Sequence, residues 1–201
     1  MMHVVFAYKG SNLSIDAAFT KFPILTTERL LLRQIQMEDA EAIFAIFSDE
    51  EVMKFQGNPP QLTLEDTRVW IEKIQTRYGN REGIRWGITL HGQDTVIGTC
   101  SFHSLNEAHH YVEVGYDLNR AYWGQGIMTE AVSAVLTYGF TEMELHRIEA
   151  RIDINNLRSK SLLEKLGFTY EGSLRQRFFF NGQFEDDYYF GLLKDEWRGA
   201  Q

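Results

Sequence analysis

The sequence predicts an α+β domain, mixed in its order of elements and built around a largely antiparallel sheet. Three observations predict it. The hydrophobic period switches repeatedly between helical and strand spacing along the 201 residues. The stretch RQRFFFNGQFEDDYYFGLL sets Asn181-Gly182 between two aromatic runs, a strong hairpin signal. One strand–helix–strand unit lies near the middle, which leaves the other strands to pair mainly through hairpins.

The elements follow in order. Residues 1–22 read as a loosely attached N-terminal extension, with three outcomes open: an added strand, a surface cover or a mobile tail. A single domain is placed over 23–198. TERLLLRQI at 27–35 reads as a strand. MEDAEAIFAIFS at 37–48 spaces Ala40, Ile43, Phe44 and Phe47 as a helix, with acids in its first turn where the helix dipole favours them. GNPP at 57–60 breaks the chain, and LEDTRVWIEKIQTRY at 64–78 forms a second amphipathic helix with Val69, Trp70 and Ile74 inward. RWGITL and TVIGTCSFHSL are strands joined by the turn HGQD, and YVEVGYDLN at 111–119 is a third. Residues 129–140 carry Val132, Val135, Leu136 and Phe140 on one helical stripe. RIEARIDI at 147–154 alternates apolar and charged residues with period two. SKSLLEKLGF is a short helix with Gly167 where a left-handed cap is required.

Composition narrows the function. A formal net charge of −8 opposes a general nucleic-acid partner, because phosphate backbones attract cationic faces. The lone cysteine, Cys100, excludes an intrachain disulfide and makes a reducing, cytoplasmic setting the expectation; within VIGTCSF it reads as a small buried hydrophobe. No apolar run approaches the ~20 residues of a membrane span. The six histidines are scattered, and adjacent His109 and His110 fall on opposite faces of any strand, so no metal site is expected.

RAYWGQGIMTEAVS at 120–133 places two glycines at the mouth of a helix. Free N–H groups there carry partial positive charge, and glycine lets a ligand approach the main chain. Such a stretch is either an anion cradle or a tight turn with no ligand. No Gly-Lys-Ser/Thr follows, so it is not a Walker A loop, and the dinucleotide fingerprint lacks its third glycine.

TERLLLR, EDAEAIF and SDEEVMKF, then EVGYDL and YWGQGIMTEAV, then NNLRSKSLLEKLGF and FNGQFEDDYYFGLLKDEW, resemble in order and spacing the GNAT N-acetyltransferases. The resemblance is to the branch that modifies ribosomal-protein N-termini (RimJ/RimL-like), and it runs from Thr26 onward. It implies the GNAT fold, with splayed strands in the sheet, and acetyl-CoA as donor. Against the broad signature Gln/Arg-x-x-Gly-x-Gly/Ala, Trp123 fills the first position, as is usual in this branch, and the bulkier Met128 the last.

The resemblance assigns the pantetheine arm to the main chain near Tyr116 and Leu118. It assigns the pyrophosphate to the amides of Trp123, Gly124, Gln125, Gly126, Ile127, Met128 and Thr129. Asn156 matches a coenzyme-contacting asparagine and also suits a helix N-cap. Lys160 is expected to face the coenzyme's phosphates; Arg158 is read as solvated.

The reaction is direct amine attack on a thioester, with no covalent enzyme intermediate. Glu113, expected half-buried with a raised pKa, is the first choice for the base, with Asp186 and Asp187 as rivals. Many relatives use a tyrosine seven residues after the asparagine as acid; here that position is Leu163. Ser159 is the residue expected to donate to sulfur. Phe178–Phe180 are candidates to line the acceptor channel. The acceptor is a protein N-terminal α-amino group or a small amine such as an antibiotic, amino acid or polyamine. A non-catalytic acyl-CoA sensor is the alternative from another class. A homodimer through the aromatic hairpin remains open.

Overall fold

The computed structural model describes residues 15–180 and 182–199. A short helix α1 (Ile15–Thr20) leads into β1 (Leu25–Thr26) and β2 (Leu30–Gln34). A 3-10 turn at Met37–Asp39 runs into α2 (Ala40–Phe47), followed by α3 (Glu50–Met53) and α4 (Leu64–Gly79). Three strands follow: β3 (Ile84–Leu90), β4 (Gly98–Asn106) and β5 (Tyr111–Leu118). Then come α5 (Ile127–Thr141), β6 (Arg147–Asp153), α6 (Leu157–Lys165), β7 (Thr169–Phe180) and β8 (Gln183–Leu193).

The strands form one eight-stranded sheet in the order β1-β2-β3-β4-β5-β6-β8-β7. Every neighbouring pair is antiparallel except β5·β6, the two strands that α5 connects. Parallel pairing there covers only Tyr111↔Arg147, Val112↔Ile148 and Glu113↔Glu149. Beyond Glu113 the strands part, and the splay opens toward the start of α5.

Strand alternation gives the sheet two unlike faces. Trp86, Cys100, Phe102, Val112, Val114, Ile148, Ala150, Phe190 and Leu192 share one large core with Val132, Val135, Leu136 and Phe140 of α5. On the other face of β4 to β6 the same alternation presents Thr99, His103, Glu113, Asp117, Glu149 and Arg151. A smaller core joins Ile35 and Val96 to Ile43, Ile46, Val52 and Ile71 of α2 to α4.

Two expectations are corrected here. Val69 is 56% exposed; α4 instead turns Thr67 and Ile71 inward. Thr67 is tolerated because its hydroxyl donates to Gln61 Oε1 at 2.5 Å, a partner that apolar periodicity cannot reveal. The extension is not loose from Ile15 onward. Ile15 and Ala18 are buried in the main core, Phe19 and Phe22 pack against it, and the Tyr78 hydroxyl donates to the Ala18 carbonyl at 3.0 Å. Residues 1–14 lie outside the described residues. Gly167 does take the left-handed conformation its position requires, with φ +87°. The hairpin pairs Phe180 with Gln183, although Asn181 lies outside the described residues.

Candidate active site

The approach to α5 is built from bare main chain. Gly124 and Gly126 both adopt positive φ, 73° and 74°. Gly126 is the N-cap of α5, and no side chain caps the helix. Its first-turn amides therefore remain available to a ligand. A Cβ at Gly124 would meet nothing within 4 Å, so the loop faces open space. Met128 is 8% exposed, which answers the difficulty its bulk posed: its side chain turns into the core and leaves the main chain clear. Ile127 is buried likewise, and Gln125 folds back to donate to the Ala121 carbonyl at 3.0 Å. These features fit an anionic diphosphate.

Contacts both near and distant in sequence hold this loop. The Trp123 indole donates to the Leu118 carbonyl at 2.9 Å, tying the cradle to the end of β5. Arg29 donates from Nη1 to the Gln125 carbonyl at 3.0 Å and from Nε to Glu130 Oε2 at 2.6 Å. Thr27 donates to Glu130 Oε1 at 2.5 Å. Sequence reasoning missed Arg29; its only signal was its place in TERLLLR, far from the glycines. Arg158, expected to be solvated, lies over the Trp123 ring at 4.2 Å while staying exposed. Lys160 does not reach the cradle: its Nζ lies 6.0 Å from the Tyr188 ring centroid and 3.9 Å from Glu164 Oε1. From α6 it is Arg158 that lies beside Trp123; Lys160, two positions on, points about 200° away around the helix axis.

The His110 carbonyl accepts from the Arg147 N–H at 3.2 Å, so even-numbered residues of β5 turn their main-chain groups toward β6. Past Glu113, Tyr116 and Leu118 direct those groups into the splay. Asn156 caps α6, its Oδ1 accepting from the Ser159 N–H at 3.1 Å. Ser159 is buried, and its Oγ lies 2.6 Å from the Tyr116 hydroxyl. Leu163 is fully buried in the core. Cys100 is also fully buried, and burial pushes its thiol up to about 12, so it is no nucleophile.

On the opposite face Glu113 Oε1 accepts from Arg151 Nε at 2.9 Å and lies 3.5 Å from His103 Nε2. Both contacts fall on Oε1; among the described residues nothing bonds Oε2. The expectation of a raised pKa is overturned. Burial alone would raise it, but hydrogen bonds and charge from His103 and Arg151 outweigh burial and hold the carboxyl below its ordinary value of 4.5. Asp187 behaves oppositely. Burial raises it, assisted by the charges of Asp153 and Glu113 and opposed by Arg151 and Arg177. Arg151 thus stands between two carboxylates shifted in opposite directions. Asp186 is occupied by the fold, accepting from the Gln176 N–H at 2.7 Å across a bulge in β7. Phe178 lies against Gly57, where a Cβ would come within 2.1 Å of its ring, so the hairpin crosses the loop after α3. Phe179 is instead exposed, paired with Phe184 at 4.9 Å.

The Glu113–Arg151 pair makes a stability prediction. Glu113→Gln removes the carboxylate that Arg151 hydrogen-bonds, leaves that partly buried guanidinium only the charge of Asp187, and should cost about 2–3 kcal/mol at pH 7. Folding lowers this pKa, so its contribution is complete at neutral pH and is lost as pH falls through the folded value, below the ordinary 4.5. Urea melts of both proteins should therefore converge on acidification. Equal stability at pH 7 would exclude the ion pair as a stabilising contact.

Residues 29–169 match the family model described as an acetyltransferase (GNAT) domain. YoaA of Bacillus subtilis (strain 168), an uncharacterized N-acetyltransferase, is 40% identical over 173 residues, covering 86% of this chain and 98% of that protein. The ribosomal protein uS5-alanine N-acetyltransferase of Escherichia coli (strain K12) is 26% identical over 181 residues, covering 86% of this chain and 92% of the relative. The crystal structure of a GNAT-family acetyltransferase from Bacillus anthracis superposes with a TM-score of 0.78 at 32% identity, over 87% of this chain and all of the other. No described helix is long and apolar enough to cross a membrane. The glycine cradle, the splayed strands and these matches lead to one assignment: the chain belongs to the GNAT acetyltransferases and is an N-acetyltransferase that takes its acetyl group from acetyl-CoA.

Proposed function

We propose that this N-acetyltransferase acetylates the α-amino group of a protein N-terminus, as the named activity of the Escherichia coli relative suggests. The observation that carries the reading is the opening of β5 from β6 after Glu113, with hydroxyls on one face and carboxylates on the other. Acetyl-CoA supplies the thioester carbonyl and the leaving thiolate. The amides from Gly124 to Thr129 hold its diphosphate, the Trp123 N–H being already given to the Arg120 carbonyl at 3.2 Å, and Tyr116, Leu118 and Asn156 hold the arm that leads to the splay. Ser159 donates a hydrogen bond on that side.

The acceptor enters from the carboxylate face. Glu113 stays anionic and draws the amine through Oε2. Asp187, its basicity raised by burial, takes the proton released as the nitrogen attacks. This reassigns the base from Glu113 to its rival, because a carboxylate held low by its hydrogen bonds and by the Arg151 guanidinium is the weaker proton acceptor.

A carboxylate base also favours this acceptor class. At pH 8 an α-amino group of pKa about 8 offers about a hundredfold more neutral amine than an alkylamine near about 10.4. The test is thiol release from acetyl-CoA with peptides bearing free or blocked N-termini, beside a polyamine and free amino acids. Free N-terminal peptides should turn over fastest and blocked ones not at all. A polyamine turned over faster than every peptide overturns the reading, and coenzyme binding without turnover of any amine leaves a sensor.

A further inference from the structure

Arg29 lies 96 residues before Gln125 in the chain, yet its guanidinium reaches the glycine loop. Nη1 donates to the Gln125 carbonyl at 3.0 Å, while Nε donates to Glu130 Oε2 at 2.6 Å. We infer that Arg29 is a positioning residue of the coenzyme cradle: by holding the Gln125 carbonyl it turns the Gly126 N–H toward the diphosphate. This rests on the reading of the cradle given above.

The Gln125 carbonyl and the Gly126 N–H belong to one peptide unit. In a trans peptide these two groups point in opposite directions, and the described residues contain no cis bond. With the carbonyl tied to Arg29, the Gly126 N–H points away from Arg29. Among the described residues no main-chain group accepts from it. Apart from its chain neighbours, a Cβ at Gly126 would meet only Arg29 Nη2, at 3.5 Å, within 4 Å. The guanidinium is thus the one protein wall at this glycine, and the N–H faces the open side. Glycine at φ +74° also lets this peptide flip at little cost, because no Cβ resists the rotation. A flip would set a carbonyl oxygen, instead of an N–H, before an anion. The backbone freedom that admits the coenzyme therefore needs a lock, and Arg29 supplies it.

Arg29 is itself held. Its N–H donates to Glu130 Oε1 at 2.9 Å, and its carbonyl accepts from the His91 N–H at 2.9 Å. Burial would raise the Glu130 pKa, but hydrogen bonds from Thr27 and Arg29 outweigh it and hold the carboxyl below its ordinary 4.5. Glu130 therefore stays charged at neutral pH. Its hold on Nε fixes the plane of the guanidinium and so aims Nη1 at the carbonyl. The Arg29 side chain is 45% exposed, so the ion pair itself adds little to stability.

The experiment titrates two thioesters by calorimetry: acetyl-CoA, and S-acetylpantetheine, which lacks the diphosphate. The proteins are wild type, Arg29→Ala and Arg29→Lys, with melting curves as the fold control. Lysine keeps the charge but has no planar fork to hold the carboxylate and the carbonyl together. Both variants should bind acetyl-CoA about tenfold or more weakly, the loss of a hydrogen bond to a charged group. Both should bind S-acetylpantetheine as wild type does and melt close to it. Wild-type affinity for acetyl-CoA in Arg29→Lys, beside a weakened Arg29→Ala, would mean that only the charge of Arg29 acts, which overturns the positioning role. Unchanged acetyl-CoA affinity in Arg29→Ala, or equal losses for the two thioesters, overturns it as well. A wild-type protein that binds acetyl-CoA no tighter than S-acetylpantetheine overturns the reading of the cradle, and the inference with it.

Discussion

Gly126→Val should leave a folded protein whose affinity for acetyl-CoA is about a hundredfold weaker. The magnitude comes from geometry. Gly126 caps α5 at φ +74°, a conformation that costs an L-residue roughly 1–2 kcal/mol. In a domain of this size that is a loss of only a few degrees in Tm. Within the protein a Cβ at this position meets only Arg29 Nη2, at 3.5 Å. The fold can therefore accommodate the new side chain, and the diphosphate cannot: the branched carbon fills the concavity over the first-turn amides. Calorimetry with acetyl-CoA measures the effect, with a melting curve as control. Unchanged affinity would mean that the diphosphate lies elsewhere, and the roles given to residues 123–129 would fall together.

Asp187→Asn should lower kcat by a factor of roughly 10² or more, the lower end of what a positioned base contributes. Its coenzyme affinity should not change, because Asp187 stands on the carboxylate face and the cradle on the other side of the splay. Stability separates this from a structural defect. Burial raises the Asp187 pKa above its ordinary 3.8, so the folded protein binds this proton more tightly than the unfolded chain. The group's contribution is favourable below the unfolded value and is lost as pH rises through the folded one. At neutral pH the charged Asp187 weakens the fold, and the amide should match or exceed wild-type stability. In the wild-type pH–rate profile, activity should fall as pH drops through the raised Asp187 value and through the amine's own titration; in the variant only the amine's limb should remain. Full turnover in Asp187→Asn would return the base role to Glu113.

The sequence made the architecture legible wherever the cause was local. Period-two alternation in 147–154 and the turn chemistry before Gln183 needed no partner to be read, and β6, β7 and β8 formed where those signals placed them. The glycine cradle was legible for the same reason, since positive φ belongs to Gly124 and Gly126 themselves. What escaped depends on register between distant strands. The sign of the Glu113 shift requires His103 opposite it on β4 and Arg151 two residues beyond its β6 partner Glu149. The tie from Arg29 to Glu130 spans 101 residues, and the Tyr116–Ser159 contact spans 43. Neither has a signature in composition or spacing. That Arg158 and not Lys160 lies over Trp123 could not be read from charge, because rotation about a short helix axis is decided by packing.

The parallel seam of three residue pairs has a mechanical consequence. On its open side, the strands that precede α5 and those that follow it face each other without main-chain bonds. A ligand arm lying in that gap supplies the missing rungs, so occupancy and stiffness rise together by mass action. The resistance of this protein to proteases should then track the supply of its own acetyl donor, making its lifetime a readout of the metabolite it consumes.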